Sequence, residues 1–255
     1  MVNRKKSAGQ HSQLSKFFNI VAEDLRMLSA LHIREPDADF IRVLQDEQFP
    51  DGLGLRLTSQ AGLQAHDLVG QALQLLPEIL DQQLVDELAA DFAGIYLNYS
   101  IQASPEESVW IDEENLTHQD SMFEVRKWYE RYGMSVPDWR TRPDDHLALE
   151  LEFIGLLLSG DVNHERLDEA ARFMDEHLLR WLMDFAQRVA ARCDTRYFAG
   201  MALLTGAYCE ELRDLIADVL NQPRPSKEEI NERMRPAQRR ESVSVAFVPG
   251  IGPAV

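Results

Sequence analysis

The stretch RPDDHLALELEFIGLLL, residues 142–158, decides the fold. Placed on a helical wheel, its apolar side chains divide between two opposite faces, Leu147, Leu151, Ile154 and Leu158 on one and Leu149, Phe153 and Leu156 on the other. A helix that is apolar on opposite faces has to be surrounded by other elements. We therefore predict that this segment forms the central helix of the protein.

The rest of the chain has the spacing of amphipathic helices. Apolar residues recur every three or four positions at 14–33, 81–99, 163–193 and 195–220, and further helices are predicted at 37–48, 59–76 and 120–132. No segment alternates as a strand does, and none has the glycine-rich loop that holds a phosphate. The predicted fold class is all-α, a compact multi-helix bundle.

The segment GMSVPDWRTRPDD, residues 133–145, interrupts these helices with two prolines and several turn formers. It predicts a connector between two parts of the bundle. We expect helical halves at about 14–133 and 144–221 joined by a hinge at 134–143, a flexible basic N-terminus at 1–13 and a flexible C-terminal tail at 222–255.

Composition and charge narrow the function classes. A chain of 255 residues with 45% hydrophobic residues can bury a core without disulfides, and we interpret Cys193 and Cys209 as reduced thiols. No signal peptide is recognisable, and the best apolar run, 147–158, is shorter than the roughly 20 residues that span a bilayer. We expect a cytoplasmic protein without stable membrane insertion. The net charge of −17 argues against nucleic acid and is compatible with a cationic partner.

Four polar residues mark the beginning of the central helix. Asp144 is predicted to cap it, whereas His146 and Glu150, four residues apart, are predicted to pair because a glutamate among apolar residues needs a partner. Together with Asp145 they also have the composition of a metal or acid–base site. No further ligand or nucleophile accompanies them, so we expect neither a metal, a cofactor nor catalytic residues.

A second candidate lies in ESVWIDEENL, residues 107–116. Trp110 is either a plug for the core or the wall of a groove for an apolar peptide, with Asp112, Glu113 and Glu114 nearby to attract cations. The sequence leaves both alternatives open.

Five fragments carry a resemblance to a known family: ESVWID at 107–112, MFEVRKWYERYGM at 122–134, RPDDH at 142–146, HLLRWLMDF at 177–185 and RYFAGMALLTGAY at 196–208. In this order they resemble segments of the TorD/DmsD/NarJ family, cytoplasmic chaperones for molybdenum-cofactor enzymes. Pro143, Asp145 and His146 match the family's Glu-Pro-x-Asp-His motif, while Arg142 stands where glutamate is usual.

The resemblance implies a non-enzymatic, system-specific chaperone with an all-helical TorD-like fold. Such a chaperone binds the twin-arginine leader and the apo form of a molybdopterin-dependent oxidoreductase catalytic subunit, assists cofactor insertion and delays export until folding is complete. The peptide-binding candidates are Trp110, Asp144, Asp145, His146 and Glu150. A monomer and a dimer that swaps halves across the hinge are both expected states.

Two arginine features bear on the binding of a twin-arginine leader. Arg142 should weaken attraction to paired arginines unless Asp144 compensates, and Arg239 with Arg240 begins a leader-like tail that either occupies the groove or carries arginines by chance. The alternatives to the chaperone are a generic helical adaptor and a metal-dependent hydrolase that uses Asp145, His146 and Glu150.

Overall fold

The computed structural model describes residues 2–235 except 78, 138, 139 and 141, and only the backbone of 2–11. Its elements, in chain order, are α1 Val2–Ile33, α2 Ala38–Asp46, α3 Gln60–Leu75, α4 Gln82–Phe92 with a π-helical turn Ala93–Leu97, α5 Ser108–Ile111, α6 Asp120–Arg131, α7 Leu147–Leu157, α8 His164–Glu176, a 3-10 turn Leu178–Arg180, α9 Leu182–Arg192, α10 Arg196–Leu220 and α11 Lys227–Met234. The described residues contain no strand, so the predicted all-α bundle is confirmed.

The helix α7 is the centre of the bundle, as predicted. It packs along α1 and against α8. The approach to α1 is close, because a Cβ added at Gly155 would lie 3.3 Å from the carbonyl oxygen of Ala22. The Ser29 hydroxyl donates to the Ala148 carbonyl over 2.9 Å along the same contact. Both apolar faces of α7 are buried except at Leu156, which keeps 38% of its surface exposed.

The long helix α10 forms a second seam. It packs on α3, α8 and α9, and its own core residues include Phe198, Tyr208 and Leu212. Buried Cys209 and half-buried Cys193 are both free thiols, in agreement with the sequence. Among the described helices none is long and apolar enough to cross a membrane.

The single helix predicted at 163–193 is wrong. The backbone leaves the helix at His177, with φ −124° and ψ −87°, and resumes at Leu182 after a 3-10 turn. The break directs the buried His177 ring to the carboxylate of Glu107, with 3.0 Å between Nδ1 and Oε2. The helix is thus broken at a residue that makes a polar contact 70 residues away in sequence, although the apolar spacing continues through it.

The chain divides into a unit of residues 1–224 and a second unit of residues 225–255. The helix α11 belongs to the second unit and has a capping box between Ser226 and Glu229. The predicted halves and hinge at 134–143 stay a prediction about how the first unit is organised. The arginine pair at 239–240 lies outside the described residues.

Candidate functional site

Two chain segments meet at the beginning of α7, 104–108 and 143–147, and we call this meeting the joint. The Glu107 amide donates to the Asp145 carbonyl over 3.0 Å, and the Leu147 amide donates to the Pro105 carbonyl over 2.8 Å. Glu106 and His146 form an antiparallel bridge between them. Backbone pairing thus fixes the predicted motif against the segment that precedes Trp110.

Asp145 ties the two segments together through its side chain as well. Its Oδ2 accepts a hydrogen bond of 2.9 Å from the Ser108 amide, at the first residue of α5. The side chain is fully buried, and this burial raises the pKa of the carboxyl to about 6. Within the described part of the chain Oδ1 has no hydrogen-bond partner. Asp145 is therefore a structural acceptor without access to solvent.

The predicted cap of the central helix is corrected. His146, not Asp144, is the N-cap of α7, because its Nδ1 accepts a 3.1 Å bond from the Ala148 amide. Accepting this bond requires an unprotonated Nδ1. Burial, reinforced by the charge of Arg142, lowers the pKa of His146 to about 3, so the ring is neutral at ordinary pH.

Asp144 has a different partner, the guanidinium of Arg126 on α6. Its Oδ2 accepts from Nε over 2.9 Å and from Nη2 over 2.6 Å, and its side chain is 3% exposed. The Tyr129 hydroxyl donates to the Asp144 carbonyl over 2.9 Å. The carboxylate that was expected to cap α7 instead holds α6 against the joint.

The predicted pair of His146 and Glu150 is also wrong. Glu150 is fully buried, and neither of its carboxyl oxygens has a hydrogen-bond partner among the described residues. Burial, together with the charges of Glu107 and Asp145, raises the pKa of Glu150 well above its usual range. The indole of Trp181 opposes this shift and lowers the pKa of Glu150 in part. The raised pKa favours the protonated form of Glu150, and a protonated carboxyl needs no counter-ion.

The sequence did not single out two further residues of the joint, Glu106 and Glu107, or His177, which contacts the joint from the end of α8. Glu106 is 2% exposed and accepts hydrogen bonds from the Ser104 and Tyr99 hydroxyls, the latter at 3.1 Å. Burial raises the pKa of Glu106 to about 7. The adjacent acids after Pro105 were the available signal, but nothing local shows that they point inward.

Trp110 packs on the interior and keeps part of its surface exposed. Its Nε1 donates to the Ser104 carbonyl over 2.8 Å, and its ring stacks on Trp181 with 6.5 Å between centroids. The guanidinium carbon of Arg188 lies 4.2 Å from the ring centroid. The ring therefore contributes to packing and is already covered by a cation of the same chain.

The joint has no geometry for metal chemistry in the part of the chain that the structure describes. There no group of three or more His, Cys, Asp or Glu side chains is arranged to hold an ion. Asp145, His146 and Glu150 point to separate partners or to none, so the hydrolase alternative gains no geometric support. Arg142 is exposed, whereas the four acidic and imidazole candidates beside it are buried.

Comparison with known proteins places this arrangement in a family. The family model described as "Nitrate reductase delta subunit" matches residues 64–187, which include the joint. "Chaperone protein TorD" of Photobacterium profundum is 31% identical over 200 residues, which is 74% of this chain and 90% of the relative. "Chaperone protein TorD" of Vibrio parahaemolyticus is 29% identical over 191 residues, which is 72% of this chain and 86% of the relative.

Proposed function

The chain belongs to the TorD family of chaperones, and on this premise we propose that it binds the twin-arginine leader and the apo form of a molybdopterin-dependent oxidoreductase catalytic subunit in the cytoplasm. It is a redox-enzyme maturation chaperone, and its family confirms that it is not an enzyme. In this proposal it assists cofactor insertion and delays export until the client has folded.

The observation that carries the proposal is similarity to chaperone relatives over 90% of the length of one of them. The charge of the chain supports it. A leader consists of two arginines followed by an apolar stretch, and charge-assisted hydrogen bonds favour carboxylates as arginine acceptors. A chain of net charge −17 offers such carboxylates and attracts a cationic segment.

The burial of the joint changes the role that we propose for the predicted site residues. Asp144, Asp145, His146 and Glu150 are at most 5% exposed, so a leader does not reach them in this conformation. We assign to them the support of the bundle at the joint. Trp110 is the one predicted peptide-binding residue that retains an exposed part. Direct contact of the other four with a peptide requires the segments 104–108 and 143–147 to separate.

The test is recovery of the client. The tagged chain is purified from its host under anaerobic growth that induces molybdoenzymes, and bound proteins are identified by mass spectrometry. We expect a large molybdopterin-dependent subunit with its leader uncleaved. Failure to recover such a subunit under inducing conditions would count against the chaperone.

A peptide titration separates the chaperone from the generic adaptor. The synthetic client leader is compared by calorimetry with a version in which both arginines are lysines. Because lysine cannot make the bidentate bonds of a guanidinium, a leader-specific chaperone binds the lysine version at least tenfold more weakly. An adaptor that recognises only the apolar part binds both peptides equally.

A further inference from the structure

A groove on the surface of residues 1–224 lies away from the joint, between α2 and α3. It has a volume of about 940 Å³. Its apolar lining consists of Leu44, Phe49, Pro50, Leu73, Leu76 and Ile79. This volume lies in the range of about 300–1,000 Å³ that is usual for small-ligand sites, so the groove holds a few residues of a peptide.

The walls of the groove are fixed by polar contacts. The side-chain amide of Gln45 on α2 donates to the carbonyls of Leu73 and Leu76, over 2.9 Å and 3.0 Å, at the end of α3. On the other side the imidazole of His66 lies 3.2 Å from Oδ1 of Asp51. The groove is therefore preformed, and a ligand does not have to open it.

The charge of the rim is negative. Asp46, Asp51 and Asp67 line the groove and are exposed, whereas the described residues of the lining include a single arginine, Arg42. The guanidinium of Arg42 is already 3.0 Å from the carboxylate of Asp39. Asp46 and Asp67 thus present acceptors to a cation at the mouth of a cleft whose exposed surface is more polar than apolar.

Apolar surface continues beyond the rim. Ile79, which lines the groove, is 85% exposed, and Leu75 at the end of α3 is 67% exposed. Apolar side chains with such exposure beside a concave surface are typical of a place that a partner covers. The acids of the rim, followed by the exposed apolar side chains of Leu75 and Ile79, are complementary to a peptide in which arginines precede apolar residues.

We propose that this groove, and not the joint, receives the twin-arginine leader of the client. In this inference, which rests on the proposed function, the leader's guanidinium groups bind Asp46 and Asp67. The apolar residues that follow cover Leu76 and Ile79. The proposal explains how a family chaperone whose motif acids are buried still offers carboxylates beside apolar surface.

Gly70 provides a way to block the groove. It lines the cleft from α3, and a Cβ added there meets no atom within 4 Å. The variant Gly70→Trp therefore fills the groove without a backbone clash, and replacing a mid-helix glycine does not weaken α3. Gln64→Trp is the matched control, since Gln64 is exposed on the same helix and is absent from the lining.

The binding of the synthetic client leader is measured by calorimetry for the full-length wild type and both variants. We expect Gly70→Trp to raise the Kd at least tenfold and Gln64→Trp to change it less than twofold. The pair Asp46→Asn with Asp67→Asn should also raise the Kd about tenfold, whereas the exposed pair Asp168→Asn with Asp218→Asn makes the same charge change elsewhere and should leave it unchanged.

The results distinguish failure of the groove as the binding site from failure of the chaperone function. If the wild type binds the leader and both groove variants bind it equally well, the groove is wrong and the chaperone function stands. If the wild type binds no leader, the proposed function fails together with the groove. Should Gly70→Trp unfold the helix, as judged by circular dichroism, the aspartate pairs alone decide.

Discussion

Replacing Glu106 by glutamine tests whether the joint is as strongly desolvated as its geometry indicates. The Glu106 carboxyl is buried, and its pKa rises from 4.5 to about 7 chiefly for that reason. A folded-state pKa above the unfolded-state value means that the folded protein holds the proton more tightly. The folded state is therefore stabilised by the protonated Glu106 carboxyl, fully below pH 4.5, and this stabilisation is lost as the pH rises through about 7.

The magnitude follows from the size of the shift. Each pKa unit is worth about 1.4 kcal/mol, so the wild type loses about 3 kcal/mol of unfolding free energy across the full window. Glutamine does not titrate, and its amide can still bond to the Ser104 and Tyr99 hydroxyls because a hydroxyl both donates and accepts. The stability of Glu106→Gln relative to wild type should therefore rise with pH.

The assay is urea unfolding between pH 5.5 and pH 8, which stays above the sequence pI of 4.8. This interval contains about 2 kcal/mol of the change, or roughly 4–8 °C in Tm for a chain of this size. Glu130→Gln, at an exposed position of α6, is the control and should show no pH-dependent difference. A constant difference between Glu106→Gln and wild type at both pH values would refute the desolvated joint.

Three other substitutions test the remaining contacts of the first unit. Arg126→Ala leaves the carboxylate of Asp144 buried without its guanidinium, and urea unfolding should show a loss of roughly 3–5 kcal/mol of stability. The control Lys127→Ala removes an exposed ion pair and should cost less than about 1 kcal/mol. Glu150→Gln mimics the protonated acid, so its Tm should equal that of wild type at low pH and exceed it increasingly as the pH rises. A Tm difference between variant and wild type that falls with pH would contradict a raised pKa of Glu150. Gly155→Val crowds the α1 carbonyl 3.3 Å away and should destabilise the protein by about 1–3 kcal/mol, which calorimetry would measure and an unchanged Tm would contradict.

The fold was predictable because burial leaves a periodic signal. The two apolar faces of 147–158 indicated a central helix, and α7 lies there with only Leu156 and Glu152 on its exposed side. The break at His177 left no such signal, since apolar residues continue in register from Leu167 to Val189. The helix breaks where His177 contacts Glu107, and local spacing does not encode a contact over that sequence distance.

The candidate site was predicted in position but not in its contacts. Asp144 has the residue type and place of a helix cap, yet Arg126, 18 residues earlier, is its partner and leaves the cap to His146. Local capping preferences cannot anticipate a competing long-range ion pair. The groove was not predicted at all, because its acids come from different elements and each looks like an ordinary exposed residue.

The buried carboxyl groups at the joint explain why the joint and the groove should have separate roles. Glu106, Glu107, Asp145 and Glu150 are buried together, and of these Glu107 has a basic side chain, His177, as its hydrogen-bond partner. Burying carboxyl groups costs free energy that apolar residues of the same volume would not cost. A site so shielded is poorly suited to capture an arginine, since the cation would also have to be desolvated. The exposed acids of the groove avoid that cost, which favours capture at the groove and leaves the joint to hold α7 in place.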